Sequence, residues 1–305
     1  MIFEVEPIFN YRTWGGDYLK SCLGRTDIKD PIGEVFSVCC LPQVESLIDG
    51  VPFGEFYRTY PEYFGLKTAD FPLCINLIEA VDDLSVQLHP IKENLQGPNN
   101  YRGIEEAWYI LKTVSKTEIV IGLTTNDINK VKIAIDKNNW SDILKVADTQ
   151  VGDFIFLPAG CVHAIRKGNL VYEVTYNQDI TYRLYDYQRV DAKTGQFRDL
   201  HHKEGLENLS FKEGAILSNT QAKSGVSILL QQKPGFRIER IKCEKEMEIG
   251  QDNFYFYTII AGAGMINEMP TGLFKTFFIP KVVKKVEIKG TVELLRTSFM
   301  EANDE

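Results

Sequence analysis

The sequence predicts a mainly β protein, a sandwich or closed barrel of the jelly-roll kind, and three observations support this fold class. Short runs of β-branched and aromatic residues, bounded by turn residues, recur at near-even spacing along most of the chain. Helical periodicity is confined to two segments. The 305 residues, of which 44% are hydrophobic, can bury one large or two medium-sized cores.

The strands are predicted from fourteen runs. In chain order these are EVFSVCCLP, FPLCINLIEA, LSVQLHP, EAWYILK, TEIVIGL, DFIFLP, LVYEVTY, ITYRLYDY, VSILLQQ, FRIERIKCE, FYFYTIIAG, KTFFIP, VVKKVEIKG and VELLRTSF. Many short strands at even spacing are typical of sandwiches and barrels rather than of a parallel sheet covered by helices.

The two helical segments are residues 46–65 and 126–148, where apolar residues fall at three- and four-residue intervals. In the second segment Asn126 and Ser141 are candidate N-caps, and the polar break at 137–139 predicts two short helices. We therefore expect a small helical insertion at about 126–148, on the surface between strands.

A faint internal repeat predicts two domains. The order EAWYILK, IVIGL, DFIFLPAGCVHAI is echoed by NFYFYTIIAGAGMI and KTFFIPKVVKKVEI near the end of the chain. The fifth position after the proline is His163 in the first copy and Lys285 in the second, so the second copy lacks the histidine. With a boundary in the polar stretch 218–225, we predict a metal-binding catalytic domain at 1–217 and a degenerate domain at 218–305.

Composition excludes several classes of function. The net charge of -8 argues against nucleic acid or an anionic membrane as the main partner. The amino terminus lacks a basic segment followed by an apolar one, and no run of about 18 apolar residues occurs, so we predict a cytoplasmic protein. The six cysteines are scattered without CxxC spacing, which indicates reduced thiols rather than a disulfide framework.

A candidate metal site begins in SVQLHP, residues 85–90. Gln87 and His89 are two apart in a predicted strand, so both side chains point to one face. Glu106 and His163 lie at the ends of other predicted strands. Two imidazoles and a carboxylate form a common catalytic ligand set for zinc. The alternative is that the histidines are satisfied core or surface residues, and spacing alone leaves this open.

Four ordered segments carry a resemblance to a known family. LSVQLHP, EEAWYIL, FLPAGCVHAI and DITYRLYDYQR resemble the signature blocks of type I mannose-6-phosphate isomerases of the short bacterial form, which belong to the cupin superfamily. TWGG at 13–16 and IGEVFSV at 32–38 extend the resemblance. It implies two cupin-like jelly-roll domains and interconversion of mannose 6-phosphate and fructose 6-phosphate.

The resemblance also assigns roles to residues. It implies that Gln87, His89, Glu106 and His163 bind one Zn²⁺ per chain, and that Arg183 stabilises the negative charge that develops when the C2 proton leaves. The implied partner is a small-molecule sugar phosphate, with a monomer or weak homodimer as the assembly. Glu173 in VYEVTY and a metal-bound hydroxyl are two candidates for the proton carrier.

Two lysines of the family pattern are absent from this chain. Asn76 and Ile104 stand in their places, and Ile91 and Lys92 replace the usual acidic pair after His-Pro. Because those lysines lie near the family's substrate site, two alternatives stay open. One is an isomerase of a different or unphosphorylated sugar, and the other is a noncatalytic sugar-binding cupin.

The remaining motifs have simpler interpretations. We predict that His201 and His202 have a surface or capping role, and that AGAG at 261–264 is a hairpin turn. The lysines between 281 and 289 indicate the solvent-exposed face of an edge strand. Arg189 and Arg198 could approach a phosphate or lie as solvated loop charges.

Overall fold

A computed structural model of the chain describes residues 1–91, 103–114, 116–212, 214–219, 224–231 and 235–301. Lys92 and part of the predicted boundary at 218–225 lie outside the described residues. The division into domains at 217/218 therefore stays a prediction.

Antiparallel strands form most of the described chain. The first sixteen are β1 Phe3–Glu6, β2 Ile8–Gly16, β3 Ile32–Val38, β4 Cys40–Leu41, β5 Val44–Glu45, β6 Leu47–Ile48, β7 Val51–Pro52, β8 Leu73–Glu79, β9 Val86–Leu88, β10 Glu106–Thr113, β11 Glu118–Leu123, β12 Leu144–Asp148, β13 Asp153–Leu157, β14 His163–Ile165, β15 Asn169–Tyr176 and β16 Tyr182–Tyr185. The others are β17 Ile216–Asn219, β18 Gly225–Gln231, β19 Gly235–Cys243, β20 Glu246–Gly250, β21 Tyr255–Ile266, β22 Met269–Pro270, β23 Thr276–Ile279 and β24 Lys285–Met300. The helices are short: α1 Tyr18–Cys22, α2 Phe53–Thr59, α3 Pro61–Phe64, α4 Ile128–Asp136 and α5 His202–Asn208.

Three sheets define the architecture. A seven-stranded sheet has the order β17-β13-β10-β15-β8-β3-β2, and a five-stranded sheet has the order β12-β11-β14-β9-β16. A ten-stranded sheet contains β18 to β24 together with β1, β6 and β7. The predicted fold class, mainly β and built of packed antiparallel sheets with a small helical insertion, is confirmed.

The seven-stranded and five-stranded sheets pack face to face around an apolar core. Trp108, Ile110 and Ile155 of the first sheet meet Ile119 and Ile165 of the second. This packing leaves a cavity between the two sheets, where the candidate site lies.

The opposite face of the seven-stranded sheet packs on the ten-stranded sheet. The interface is rich in aromatic rings, with Phe3, Phe256 and Phe278 in one cluster with Tyr109 and Tyr172. The first strand also joins the carboxy-terminal part of the chain, because β1 pairs with β23. The two ends of the sequence are therefore joined by backbone hydrogen bonds as well as by side-chain packing.

The outer face of the five-stranded sheet is covered by helical and irregular segments. Val86 and Leu88 point to this side and pack in one cluster with Val131 of α4 and Leu206 of α5. The predicted insertion is helical only in its first half, with Asp127 rather than Asn126 as N-cap. The prediction of a second helix after Ser141 was wrong. Residues 144–148 form β12, because pairing with β11 satisfies their backbone groups.

Three further predictions need correction. In the segment 46–65 the helices begin only at Phe53, after the short strands β6 and β7. AGAG at 261–264 is not a turn but the bulged middle of β21, opposite β24. Lys289 does not lie on an edge strand, because β24 is paired with β20 on one side and β21 on the other.

No helix among the described residues has both the length and the apolar character needed to cross a lipid bilayer. All six cysteines lie in the described chain and are free thiols, as predicted.

Candidate metal centre

Strand register brings the predicted site residues together. β14, β9 and β16 are neighbours, so His163, Gln87 and Arg183 stand side by side across three strands. His89 follows directly after β9, and Glu106 begins β10 on the facing sheet. All five line one cavity of about 770 Å³.

The two histidines and the glutamate form a compact buried cluster. His89 Nε2 lies 2.7 Å from Glu106 Oε1, and His163 Nε2 lies 3.6 Å from Glu106 Oε2. The three candidate ligand atoms lie within 4.8 Å of one another, and all three side chains are buried. This donor set and spacing fit a single divalent ion.

Main-chain carbonyls fix the orientation of both imidazoles. His89 Nδ1 lies 2.8 Å from the carbonyl of Ile180, and His163 Nδ1 lies 2.9 Å from that of Cys161. A carbonyl can only accept, so each Nδ1 carries the hydrogen and each Nε2 points its lone pair inward when the ring is neutral. His89 Nε2 is buried, and despite its short contact with Glu106 it is not aligned for a hydrogen bond. A buried imidazole nitrogen without an aligned hydrogen-bond partner is compatible with a metal ligand.

Gln87 lies beside this cluster. Its amide nitrogen is 3.4 Å from His163 Nε2, while its oxygen accepts a hydrogen bond of 3.0 Å from Ser85. Ligation through Oε1 would need a rotation of the amide by half a turn, after which the nitrogen could donate to the same hydroxyl. Gln87 is therefore placed to act as the fourth ligand after one torsional change.

The three side chains of the cluster have shifted pKa values, because each is buried and close to the others. Burial opposes a charge on His89, but the neighbouring carboxylate of Glu106 outweighs it and raises the pKa of His89 to about 9. Burial also opposes the charge of Glu106, yet the two imidazoles hold its pKa below the ordinary value. Burial lowers the pKa of His163 to about 4. Because the pKa of His89 is raised, a metal ion bound at this imidazole would displace a proton.

A second carboxylate, that of Glu173, lines the same cavity. The indole nitrogen of Trp108 donates to both Glu106, at 3.1 Å, and Glu173, at 2.9 Å. Asn76 donates to the other oxygen of Glu173 at 3.1 Å. Burial, with repulsion from Glu106, raises the pKa of Glu173 to about 8.

Trp108 is a polar contributor to the site that the sequence analysis did not identify. It is buried, but its position two residues after Glu106 on the same strand places its N–H on the cavity side. The i, i+2 spacing from a candidate ligand was the sequence signal that could have identified it.

Arg183 lies at the open side of the cluster. Its side chain donates to the carbonyl of Asp199 at 2.9 Å, and its backbone N–H donates to His201 Nδ1 at 3.2 Å. His201 thus positions the strand that carries Arg183, while His202 contacts the carbonyl of Leu184 at 3.0 Å. Neither histidine lines the cavity.

Comparison with known proteins places the chain in a family. The mannose-6-phosphate isomerase ManA of Bacillus subtilis is 32% identical over 301 residues, which cover 88% of this chain and 94% of the relative. The chain belongs to the mannose-6-phosphate isomerase family. The mannose-6-phosphate isomerase of Streptococcus mutans is 26% identical over 95% of this chain and 97% of its own length. No family model matches the sequence.

Solved structures of the mannose-6-phosphate isomerase family share the fold. The crystal structure of the Bacillus subtilis enzyme superposes with a TM-score of 0.86 at 26% identity, covering 98% of this chain and 99% of the other. A mannose 6-phosphate isomerase crystallised with zinc and yttrium gives a TM-score of 0.76 at 14% identity, covering 98% and 99% of the two chains. At that identity the second comparison shows the fold alone.

Proposed function

We propose that the protein is a zinc-dependent isomerase that interconverts mannose 6-phosphate and fructose 6-phosphate. The observation that carries this proposal is the buried cluster of His89, Glu106 and His163 inside a large cavity. Two relatives that match nearly full length are named mannose-6-phosphate isomerases, and one protein of the same fold was crystallised with zinc.

The ion would be held by His89, Glu106 and His163, with Gln87 as the fourth ligand. A bound zinc ion would supply a Lewis acid that polarises the substrate oxygens at C1 and C2. The carbonyls of Ile180 and Cys161 fix the two imidazoles, so these ligands need little reorganisation. Only the Gln87 amide has to turn.

Arg183 and Glu173 supply the remaining chemistry in this proposal. Arg183 is positively charged at any working pH and lies in register with Gln87, so it can stabilise negative charge developing on the substrate. Glu173 lines the same cavity and has a pKa of about 8, so near neutral pH it can hold or release a proton. We propose Glu173 as the group that moves the proton between C2 and C1.

Metal content tests the site directly. We expect elemental analysis of protein purified without chelators to give about one zinc per chain, and the His89→Ala, His163→Ala double variant to give none. The His202→Ala variant is the matched control, because His202 contacts the carbonyl of Leu184 outside the cavity. Absence of zinc from the wild-type protein, even after zinc is added, would refute the proposal.

Activity tests the reaction. We expect turnover of mannose 6-phosphate in a coupled assay, and a decrease in kcat of about 100-fold or more in Arg183→Ala, since one preorganised donor typically contributes that much. Activity that survives the substitution would remove Arg183 from the mechanism.

A second candidate is an isomerase of an unphosphorylated sugar, and the replaced lysines favour it. Asn76 is hydrogen-bonded to Glu173, and Ile104 is buried, so neither position supplies a cation. Comparing kcat/KM for mannose 6-phosphate and for mannose distinguishes the two candidates. Sugar binding without turnover by the zinc-loaded protein would instead indicate a noncatalytic carbohydrate-binding protein.

A further inference from the structure

Three arginines line the same cavity as the candidate metal centre. They are Arg12 on β2, Arg183 on β16 and Arg198 in the segment before α5. Two of them are fixed by carboxylates. Arg12 lies 2.6 Å from Glu34, and Arg198 makes two hydrogen bonds to Asp186, of 2.8 Å and 2.6 Å.

The third arginine has no carboxylate within ion-pair distance in the described part of the chain. Its side-chain partner there is the carbonyl of Asp199, and its Nε is buried without an acceptor. Burial lowers the pKa of Arg183, and the charges of Arg198 and Arg12 lower it further, whereas Asp186 and Asp199 act in the opposite direction. A partly buried cation that is repelled by two others is costly unless an anion joins them.

The position of Arg12 depends on a neighbouring glycine. A Cβ at Gly33 would lie 2.5 Å from Cβ of Arg12 and 2.5 Å from the ring of Trp14. The absence of a side chain at Gly33 therefore leaves room for the Arg12 side chain, which lines the cavity.

Arg198 is held by a carboxylate that also binds a second arginine. Asp186 accepts from Arg189 at 2.7 Å as well as from Arg198, yet only Arg198 lines the cavity. The segment between Arg189 and Arg198 also contacts the loop that precedes β3, through an ion pair of 2.5 Å between Lys193 and Asp30. Arg189 is thus a matched comparison for Arg198, with the same carboxylate but no access to the cavity.

We propose that Arg12 and Arg198 bind the phosphoryl group of a sugar phosphate, while Arg183 faces the reacting carbons, and so supply the positive charge that Asn76 and Ile104 lack. Planar guanidinium groups suit this task, because they present paired donors to phosphate oxygens. The inference rests on the proposed function, since it names the part of the substrate that this side of the cavity recognises.

Inorganic phosphate is the first probe, measured by calorimetry on the wild-type protein and on three variants. We expect Arg12→Gln and Arg198→Gln each to weaken phosphate binding by about tenfold or more, because each removes a hydrogen bond to a charged group. Arg189→Gln should leave the affinity unchanged. Equal phosphate affinity in all four proteins, or an equal loss in Arg189→Gln, would overturn the inference.

Kinetics separate the failure of this inference from the failure of the proposed function. In an active enzyme, Arg12→Gln and Arg198→Gln should raise KM for mannose 6-phosphate by about tenfold or more and leave KM for mannose unchanged. A wild-type protein that isomerises no sugar phosphate but shows the same variant-dependent phosphate binding would refute the function and uphold the arginine site. An active enzyme whose KM values do not change in either variant would refute the arginine site alone.

Discussion

At the scale of single residues, the indole N–H of Trp108 is shared by two carboxylates that differ in charge. It donates to Glu106, whose pKa is lowered, and to Glu173, whose pKa is raised to about 8. One donor thus orients both the candidate ligand and the candidate proton carrier. Residues that orient ligands in this way typically affect metal affinity by about 10- to 100-fold.

Trp108→Phe tests this shared donor. The substitution keeps an aromatic ring but removes the N–H, so we expect zinc affinity to fall by about tenfold or more in a chelator-competition titration. Trp140→Phe is the control, because Trp140 is buried in the cluster on the outer side of the five-stranded sheet. Equal zinc affinity in both variants would mean that the indole is only a packing element.

Glu173 gives a second residue-scale prediction, on stability. Its pKa is about 8 in the folded protein against an ordinary 4.5, so the folded state binds more protons than the unfolded state between these values. Glu173 should therefore lower the free energy of unfolding of the metal-free protein progressively as the pH rises from about 5 to 8.

Urea unfolding at several pH values measures this effect. Glu173→Gln removes this titrating group and should reduce the slope, leaving the part that comes from the raised pKa of His89. Glu118→Gln, which removes a surface ion pair with Arg166, should retain the full slope. If the free energy of unfolding of Glu173→Gln kept the full pH dependence of the wild-type protein, the effect would come from other groups.

The site residues differ in how well the sequence could predict them. Gln87, His89, Glu106 and His163 are polar side chains at strand positions, a pattern that stands out in a single sequence, and the structure brings them into one cavity. Arg12 gave no such signal. Its side chain lies close to Gly33, a contact between neighbouring strands that sequence periodicity does not report.

At the scale of elements, long-range pairing decided the places where local pattern failed. Residues 144–148 have helical spacing, yet they pair with β11 as a strand. AGAG has the composition of a turn, but Gly264 lies opposite Gly290 in the middle of a ladder. Tertiary pairing overrides local propensity in both segments.

Gly264→Ala tests this explanation of AGAG. An added Cβ would lie 1.9 Å from the carbonyl oxygen of Lys289, so the two strands would have to separate. We expect the free energy of unfolding to fall by about 1–3 kcal/mol in urea denaturation. Gly250→Ala is the matched control, since a Cβ there meets nothing within 4 Å. Equal stabilities would show that the close approach of the two strands is not maintained in solution.

At the scale of the whole molecule, the seven-stranded sheet is packed on both faces. One face meets the five-stranded sheet and the other meets the ten-stranded sheet. The hydroxyls of Tyr172 and Thr297 are 2.7 Å apart across the second interface. Sequence patterns predicted the strands but not this stacking, because alternation shows that a face is buried and not what covers it.

This stacking predicts cooperative unfolding. Cys161 next to the five-stranded sheet and Cys243 in the ten-stranded sheet are both buried, so neither thiol should react until its surroundings open. We expect both to become reactive toward a thiol reagent at the same urea concentration, as followed by mass spectrometry of the peptides. Clearly separate midpoints would indicate that the sheets unfold as independent units.

The candidate ligands come from two different sheets, and this has a consequence for the motion of the backbone. Glu106 belongs to the seven-stranded sheet, whereas Gln87 and His163 belong to the five-stranded sheet. An ion bound to both would cross-link the layers, so that neither could open locally without releasing it. When zinc is added, amide hydrogen exchange should therefore slow in both β10 and β14, although no backbone hydrogen bond joins those two strands.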